Sequence, residues 1–491
     1  MRLLGAVALA ALLGTACSRE ESTQAQAGPP PAPAPTPSPD HSALVSAVDG
    51  LAEEALQRGG IAGLSIAVFR GGEPILAKGY GYADREAGRP ADADTSYPIA
   101  SVTKMFTSAA ILRLADQGRL GLDDTLHTFF PQARAAIGKL TLRQLLNHTS
   151  GLTRGGPAPR HAAESVIRRG GTAMAANLRW DYSNYNFSLL GLVLEKVSGR
   201  PYAQYMRDEL TGPLGLDHTG YCEDGSPIPG RTVDYETGPH GPQPTVYWHT
   251  ERFFSSGGLC ASVLDLVRWE RALDDGRVLK PESLKAMRTP TRLSDGQEVD
   301  YGFGLRLGWT AGQRKVGHTG GGRSNKAALA RYPDQDLTVA VLLNTERTGT
   351  ATVAATDVEA AVGRLVFDAR EADPPVPLPA SDLVRYTGQY RDGGRLMRIV
   401  SDQGALKLRV GPGRRDISEL VAQGGDVFVD GEEPSLHLRF QMDGDKARGY
   451  ARYHNGWFVG AGVRSADVAP QTRAASPRRK RAPRPAAAPA P

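Results

Sequence analysis

Three short motifs stand in one order along the chain: Ser101-Val102-Thr103-Lys104, Tyr182-Ser183-Asn184 and His318-Thr319-Gly320. Together they describe a serine acyl-transfer site in which a lysine and a tyrosine replace the usual histidine base. A serine hydroxyl is a poor nucleophile until a neighbour takes its proton. Ser101 follows Pro98 and heads an apolar run, Met105 to Leu114, that predicts a helix. Residues three apart share a helix face, so Lys104 sits one turn above Ser101 with its amine near the hydroxyl. At a helix start the N–H of Ser101 has no intrahelical acceptor and can meet a developing oxyanion. No other lysine of the chain has a serine three residues before it.

Tyr182 and Asn184 lie in a polar loop ahead of the apolar stretch Leu189 to Val197. A free tyrosine titrates near pH ~10. A nearby ammonium lowers that value, which would let Tyr182 beside Lys104 take the serine proton and return it to the leaving group. Asn184 carries both donor and acceptor and can hold Lys104 and a substrate amide together. The third motif precedes a glycine run, Gly320-Gly321-Gly322, and predicts a strand whose backbone a substrate approaches closely. The N–H of Gly321 is the expected second oxyanion donor. His318 is expected to face the cleft and tune the Tyr182–Lys104 pair.

The order, spacing and flanks of these motifs resemble the serine β-lactamase and penicillin-binding-protein-like hydrolase family, in its class C β-lactamase-related branch. The resemblance spans residues 42 to 368. It includes Tyr97 to Leu122, Leu142 to Leu152 (with Asn147-His148-Thr149-Ser150-Gly151-Leu152), Trp180 to Tyr221 and Ser255 to Leu273. It implies Ser101 as nucleophile, Lys104 and Tyr182 as the base system, Asn184 as positioner, and His318, Thr319 and Gly320 as the third motif. Classical β-lactamases of this branch usually carry lysine where this chain has His318. A histidine there is more like certain D-alanyl-D-alanine carboxypeptidases and D-aminopeptidases. The expected substrates are therefore D-amino-acid peptides of cell-wall type, then small esters, then β-lactams. A promiscuous esterase and a penicillin-binding sensor with slow or no turnover are the rival readings. Arg323, behind the glycines, matches no pattern of the family. It reads as a solvated loop residue in preference to a reader of substrate carboxylate.

Other chemistries lack their residues. There is no Gly-x-Ser-x-Gly elbow. Neither His-Glu-x-x-His nor Cys-x-x-Cys occurs, so no metal and no cofactor is expected. The 491 residues carry a net charge of +5. Arg473, Arg478, Arg479, Lys480, Arg481 and Arg484 lie in an acid-free Ala/Pro-rich tail, so the body is near neutral and no nucleic-acid partner is expected.

Arg2 followed by the apolar run Leu3 to Leu13 reads as a secretory signal. Cys17, behind Gly14-Thr15-Ala16, resembles a lipoprotein cleavage box, although leucine is usual where Gly14 stands. Ala25-Gln26-Ala27 is an alternative cleavage site. The expected location is the cell envelope, with a lipid anchor on Cys17 or else secretion, and cell-wall polymer is a further candidate partner. Cys222 and Cys260 read as two separately buried thiols in preference to a disulfide.

The elements that must position the motifs divide the chain. Residues 1–17 are the signal, 18–40 a Pro/Ala-rich linker, 41–369 the hydrolase domain, 370–380 a linker, 381–465 a β-rich accessory domain and 466–491 a disordered tail. A helix over 42–58 precedes strands Ile61 to Phe69 and Pro74 to Ala83. Strands return at Gly302 to Trp309, Arg314 to His318, Ala327 to Tyr332 and Leu337 to Asn344, and a helix runs from Thr352 to Asp368. Early and late strands must pair to share one core. The fold class is α+β: an antiparallel sheet flanked by helices plus a helical region, as in β-lactamases and transpeptidases. A small all-β domain, sandwich or barrel, follows.

Overall fold

The computed structural model describes residues 40–465 apart from 153–155, 171–174, 223–227, 239–240, 246–251, 322–325, 347–353, 370–374, 393–394 and 411–415. The leader with Cys17, the Pro/Ala linker up to residue 39, Arg323 and the basic tail lie outside the described residues.

The early and late strands pair as their hydrophobic alternation requires. Helix α1 (Ser42–Gly59) leads into β1 (Gly63–Arg70) and β2 (Glu73–Asp84). Two-residue strands β3 (Arg89–Pro90) and β4 (Tyr97–Pro98) follow, and then helix α2 (Thr103–Asp116). The helical region includes α3 (Asn184–Ser198), short strands β5 (Gly220–Tyr221) and β6 (Leu259–Ala261), and α4 (Val263–Asp274). The chain then returns to the sheet with β7 (Arg306–Thr310), β8 (Gln313–Gly321), β9 (Lys326–Tyr332) and β10 (Leu337–Leu343). Helix α5 (Ala355–Val366) closes this part. The sheet order is β7-β8-β9-β10-β1-β2-β3, with Leu64 opposite Leu343 at the junction of early and late strands.

Alternation sorts the side chains into two cores. Leu64, Ile66, Val68, Val339 and Val341 pack with Val48 of α1 and Val358 and Val362 of α5. Ala67, Leu329, Ala340 and Leu342 pack on the other face with Phe106, Ile111, Leu190 and Trp269 of the helical region.

The strand expected over Gly302 to Trp309 begins only at Arg306. Gly304 takes a left-handed φ of 72°, and a Cβ there would lie 2.1 Å from Ser108 Oγ. The preceding residues bond instead to the helical region, through Phe303 N–H to Met287 O and Gly304 N–H to Leu146 O. A second correction concerns the cysteines. Cys222 and Cys260 are disulfide-bonded, with Cα atoms 5.3 Å apart. The cause is tertiary: β5 pairs with β6, Gly220 opposite Cys260, so that Cys222 arrives beside it.

Beyond α5, the β-rich segment forms strands β11 (Gly388–Asp392), β12 (Arg395–Asp402), β13 (Ala405–Val410), β14 (Asp416–Gly424), β15 (Val427–Asp430), β16 (Leu436–Asp443), β17 (Lys446–His454) and β18 (Trp457–Arg464). Neighbours pair in sequence order and β11 pairs back onto β18, closing an antiparallel barrel. Tyr390, Ile399, Leu408, Phe428, Phe440 and Tyr450 belong to its core. The barrel continues the main sheet, since Gly308 of β7 pairs with Trp457 of β18.

A buried charge pair holds that junction. Lys315 of β8 and Glu359 of α5 are both fully buried, 2.8 Å apart. Tyr332 OH donates to Glu359 Oε1 at 2.7 Å, and Trp457 Nε1–H donates to Glu359 Oε2 at 2.8 Å. Lys315 Nζ also donates to Asn455 O at 3.0 Å. The β17–β18 hairpin of the barrel thus supplies partners to both charges. Removing one member of such a pair strands the other without compensation. Glu359→Ala is expected to lose about 3–5 kcal/mol of stability by denaturant titration, far more than an exposed Glu→Ala change.

Candidate active site

The turn that carries Ser101 is set by strands on either side. β4 pairs with β6, Tyr97 opposite Ala261, and Ile99 N–H donates to Leu259 O at 2.9 Å. Ala100 then takes a positive φ of 46°, and residues Ala100–Val102 form a 3-10 turn into α2. Ser101 therefore stands just ahead of the helix proper and is partly exposed.

Lys104 is fully buried. Its amine lies 3.1 Å from Ser101 Oγ, 2.9 Å from Asn184 Oδ1 and 2.7 Å from Ser256 O. Asn184 reaches it as the first residue of α3. Ser256 O is presented by the Phe254–Ser256 turn, in which Phe254 adopts a φ of 42°. Burial, reinforced by the Arg306 cation, holds the Lys104 amine well below the usual lysine range. A neutral amine has two N–H groups and one lone pair. The oxygens of Asn184 and Ser256 are carbonyl acceptors for two N–H groups, which in the neutral form leaves the lone pair for the Ser101 hydroxyl. The sequence reading made Lys104 the ammonium that activates Tyr182; burial favours its neutral form, the one that can act as base.

Tyr182 is partly exposed, with Lys104 Nζ 4.9 Å from its ring centroid. Asn184 Nδ2 donates to Gly156 O at 3.2 Å. The third motif lies on β8, with His318 opposite Leu329 and Gly321 opposite Lys326. A Cβ at Gly320 would lie 2.2 Å from Ile99 O, so the strand can press this closely against the Ser101 turn only with glycine there. Thr319 is partly exposed and Gly321 exposed. Ser101, Tyr182, Asn184, Thr319 and Gly321 thus reach solvent around one buried amine.

His318 is fully buried, not open to the cleft as the sequence reading expected. Its ring centroid lies 6.1 Å from that of Tyr182. Nδ1 is 2.7 Å from Thr319 O, a carbonyl, so Nδ1 carries the hydrogen. Burial first, then the Arg306 cation, pushes its pKa well below the usual histidine value. In the neutral ring Nε2 is an acceptor, and Tyr301 OH donates to it across 3.1 Å. Both nitrogens are engaged, and burial disfavours the charged form of the ring.

Two residues of the site were not singled out from sequence. His148 stood only inside a resembling segment. It is fully buried at a φ of 61°, and its Nδ1 accepts from Ser183 N–H at 3.2 Å. Its ring lies 4.4 Å from that of Tyr182, so it backs and orients the tyrosine loop. Arg306 has its guanidinium carbon 5.4 Å from the Tyr182 ring centroid. No local pattern marks it, because its relation to Tyr182 depends on how β7 meets the helical region.

With this geometry in place, comparison with known proteins decides the family. A family model described as β-lactamase matches residues 48–364. The chain belongs to the β-lactamase family. It is a serine hydrolase of that family. A D-aminopeptidase of Gluconobacter oxydans is 28% identical over 392 residues, 76% of this chain and 72% of that protein. A D-aminopeptidase of Brucella ovis is 28% identical over 298 residues, and there this chain spans 56% of the relative's length. The crystal structure of SurE matches with a TM-score of 0.60 at 25% identity, covering 87% of this chain and 100% of that one. The D-amino acid amidase from Ochrobactrum anthropi SV3 shares the fold, with a TM-score of 0.58 at 23% identity over 67% of this chain and 100% of that one.

The lowered pKa of the Lys104 amine makes a pH prediction. Only deprotonated Lys104 can accept the serine proton, so kcat/KM is expected to rise with pH through a midpoint well below 10.5 and then level off. Lys104→Arg keeps the charge permanently and should lower kcat by about 10²–10⁴-fold. The same shift acts on stability. Between the depressed folded pKa and 10.5 the unfolded chain binds the extra proton, so the stability of wild type relative to Lys104→Met should increase with pH across that window. Thermal melts of both proteins over pH would check the sign.

Proposed function

We propose that this protein cleaves amide bonds of D-amino-acid-containing peptides through an acyl-enzyme on Ser101. The observation that carries the reading is the buried amine of Lys104, 3.1 Å from Ser101 Oγ and held by the carbonyl oxygens of Asn184 and Ser256. Ser101 Oγ attacks the carbonyl carbon as its proton passes to Lys104 Nζ. The N–H groups of Ser101 and Gly321 stabilise the oxyanion. Tyr182 relays the proton from Lys104 to the leaving amine, and the C–N bond breaks. Water then attacks the ester by the reverse proton path and restores the free serine. Asn184 and Thr319, at the solvent edge, orient the substrate, and the exposed edge at Gly321 accepts its backbone.

D-configured substrates are favoured by the D-aminopeptidase relatives, one of which aligns over three quarters of this chain. His318 supports a peptidase over a β-lactamase. It is a neutral hydrogen-bonded residue where a lysine would offer a cation to a β-lactam carboxylate. Export is part of the proposal: the Cys222–Cys260 disulfide suits an oxidising compartment. An anchor on Cys17 would then hold the enzyme at the envelope.

The test is turnover by the full chain of D-alanyl and L-alanyl p-nitroanilides, D-alanyl-D-alanine peptides, a short-chain activated ester and a chromogenic cephalosporin, beside Ser101→Ala. Expected are D over L by roughly tenfold or more and no turnover by Ser101→Ala. Ester turnover alone would favour the esterase, and a persistent Ser101 adduct by mass spectrometry would favour the sensor.

A further inference from the structure

Tyr301 and His318 are buried polar groups beside the site that take no part in the proton path derived above. Burying a hydroxyl and an imidazole costs free energy unless each is hydrogen-bonded, and two apolar rings would fill the same space without that cost. What the polar pair adds is a chain of hydrogen bonds that ends on the main chain of the third motif. Tyr301 OH lies 3.1 Å from His318 Nε2, and His318 Nδ1 lies 2.7 Å from Thr319 O. A carbonyl oxygen only accepts, so Nδ1 carries a hydrogen, and in the neutral ring Nε2 accepts from the tyrosine.

Tyr301 is itself held from several sides. Its carbonyl accepts from Thr291 N–H at 3.1 Å and from the Thr291 hydroxyl at 2.7 Å, and it forms an isolated antiparallel bridge with Arg306. Its ring stands at 89° to that of His318, with centroids 5.9 Å apart, and at 85° to that of Tyr182, with centroids 6.4 Å apart. One side chain thus backs Tyr182 with its ring and reaches the third motif with its hydroxyl. Along a strand the main-chain groups of residues two apart face the same edge. The Thr319 carbonyl therefore lies on the edge of β8 that carries the N–H of Gly321, the second oxyanion donor of the reading above. Between them Gly320 is pressed against Ile99 O of the Ser101 turn.

We propose that Tyr301 is a positioning residue for acyl transfer: its hydroxyl selects the Nδ1–H tautomer of His318, and that ring holds the Thr319 carbonyl and with it the strand edge that presents Gly321 N–H to the oxyanion. This rests on the acyl-transfer reading and deepens it, because His318 becomes a linker between Tyr301 and the substrate strand in place of a proton carrier.

The experiment compares wild type, Tyr301→Phe, His318→Asn, His318→Gln and the Tyr301→Phe/His318→Asn pair as full chains. Thermal melts, kcat and KM for a D-alanyl p-nitroanilide, and nitrogen NMR of the His318 ring (assigned by its loss in His318→Asn) are the readouts. Tyr301→Phe keeps the ring and its packing and removes only the oxygen. Wild type should carry its ring hydrogen on Nδ1, and Tyr301→Phe should show a share of the Nε2–H tautomer. In that variant kcat should fall roughly tenfold to a hundredfold with KM changed by no more than about twofold, because a displaced oxyanion donor is felt in the transition state. His318→Asn places an amide N–H at the position of Nδ1 and should retain more kcat than His318→Gln, whose amide lies one bond further out. Adding Tyr301→Phe to His318→Asn should cost no further kcat, since the hydroxyl acts through the ring. A tyrosine that only packs would leave both the tautomer and kcat unchanged in folded Tyr301→Phe, and that result overturns the proposal. So does an Nε2–H tautomer in wild type, which decides the matter even where Tyr301→Phe does not fold. Labelling of Ser101 by an activated ester separates the two levels: no labelling in wild type defeats the acyl-transfer reading, whereas labelling with an unchanged kcat in Tyr301→Phe defeats only the role of Tyr301.

Discussion

The burial of one amine constrains everything around it. Lys104 is withdrawn from water at the base of α2, and burial there is costly unless its nitrogen is hydrogen-bonded; the same burial favours the neutral amine. Three segments far apart in sequence meet that demand. The 3-10 turn brings Ser101, the start of α3 brings Asn184, and the Phe254–Ser256 turn brings a main-chain carbonyl. Two non-glycine residues, Ala100 and Phe254, adopt left-handed φ values in these turns. Such conformations persist where surrounding structure over-determines them, and here they flank the groups that the amine needs.

The supports behind these turns are correspondingly firm. Leu259 N–H is held by Thr103 Oγ1 at 3.1 Å, and Thr107 Oγ1 donates to Ser255 O at 2.8 Å, so α2 grips the segment on both sides of Ser256. The disulfide ties β6, which runs beside the Ser101 turn, to the chain after β5. Closing a loop of this size restricts the unfolded chain and is worth about 2–4 kcal/mol in the chain-entropy view.

The third wall is anchored differently. β8 presents His318 to Gly321 at one end and buries Lys315 at the other, where Glu359 and the barrel turn complete the pair. A buried ion pair is a weak source of stability, because desolvation opposes the attraction. Its effect here is register. Lys315 has one place in which its charge is compensated, and that place fixes how far β8 slides along the Ser101 turn. Glu359 also takes the Trp457 N–H, so the same pair sets the docking of the barrel.

Much of this was legible in the chain itself. The three motifs, the helix behind Ser101, the alternating strands on either side of the helical region and the all-β character of the last folded segment follow from local spacing and period, which depend on near neighbours. The departures share one origin. Gly304 bends what reads as strand because it docks on Ser108, Cys222 meets Cys260 through a strand pairing, and His148 and Arg306 act only across elements. The lowered pKa of Lys104 and of His318 was also invisible, since its first cause is burial, not residue type. Sequence determined which atoms could react, because side-chain chemistry and helical spacing are local. Tertiary structure decided how readily they give up a proton, because desolvation exists only once distant segments have closed around them.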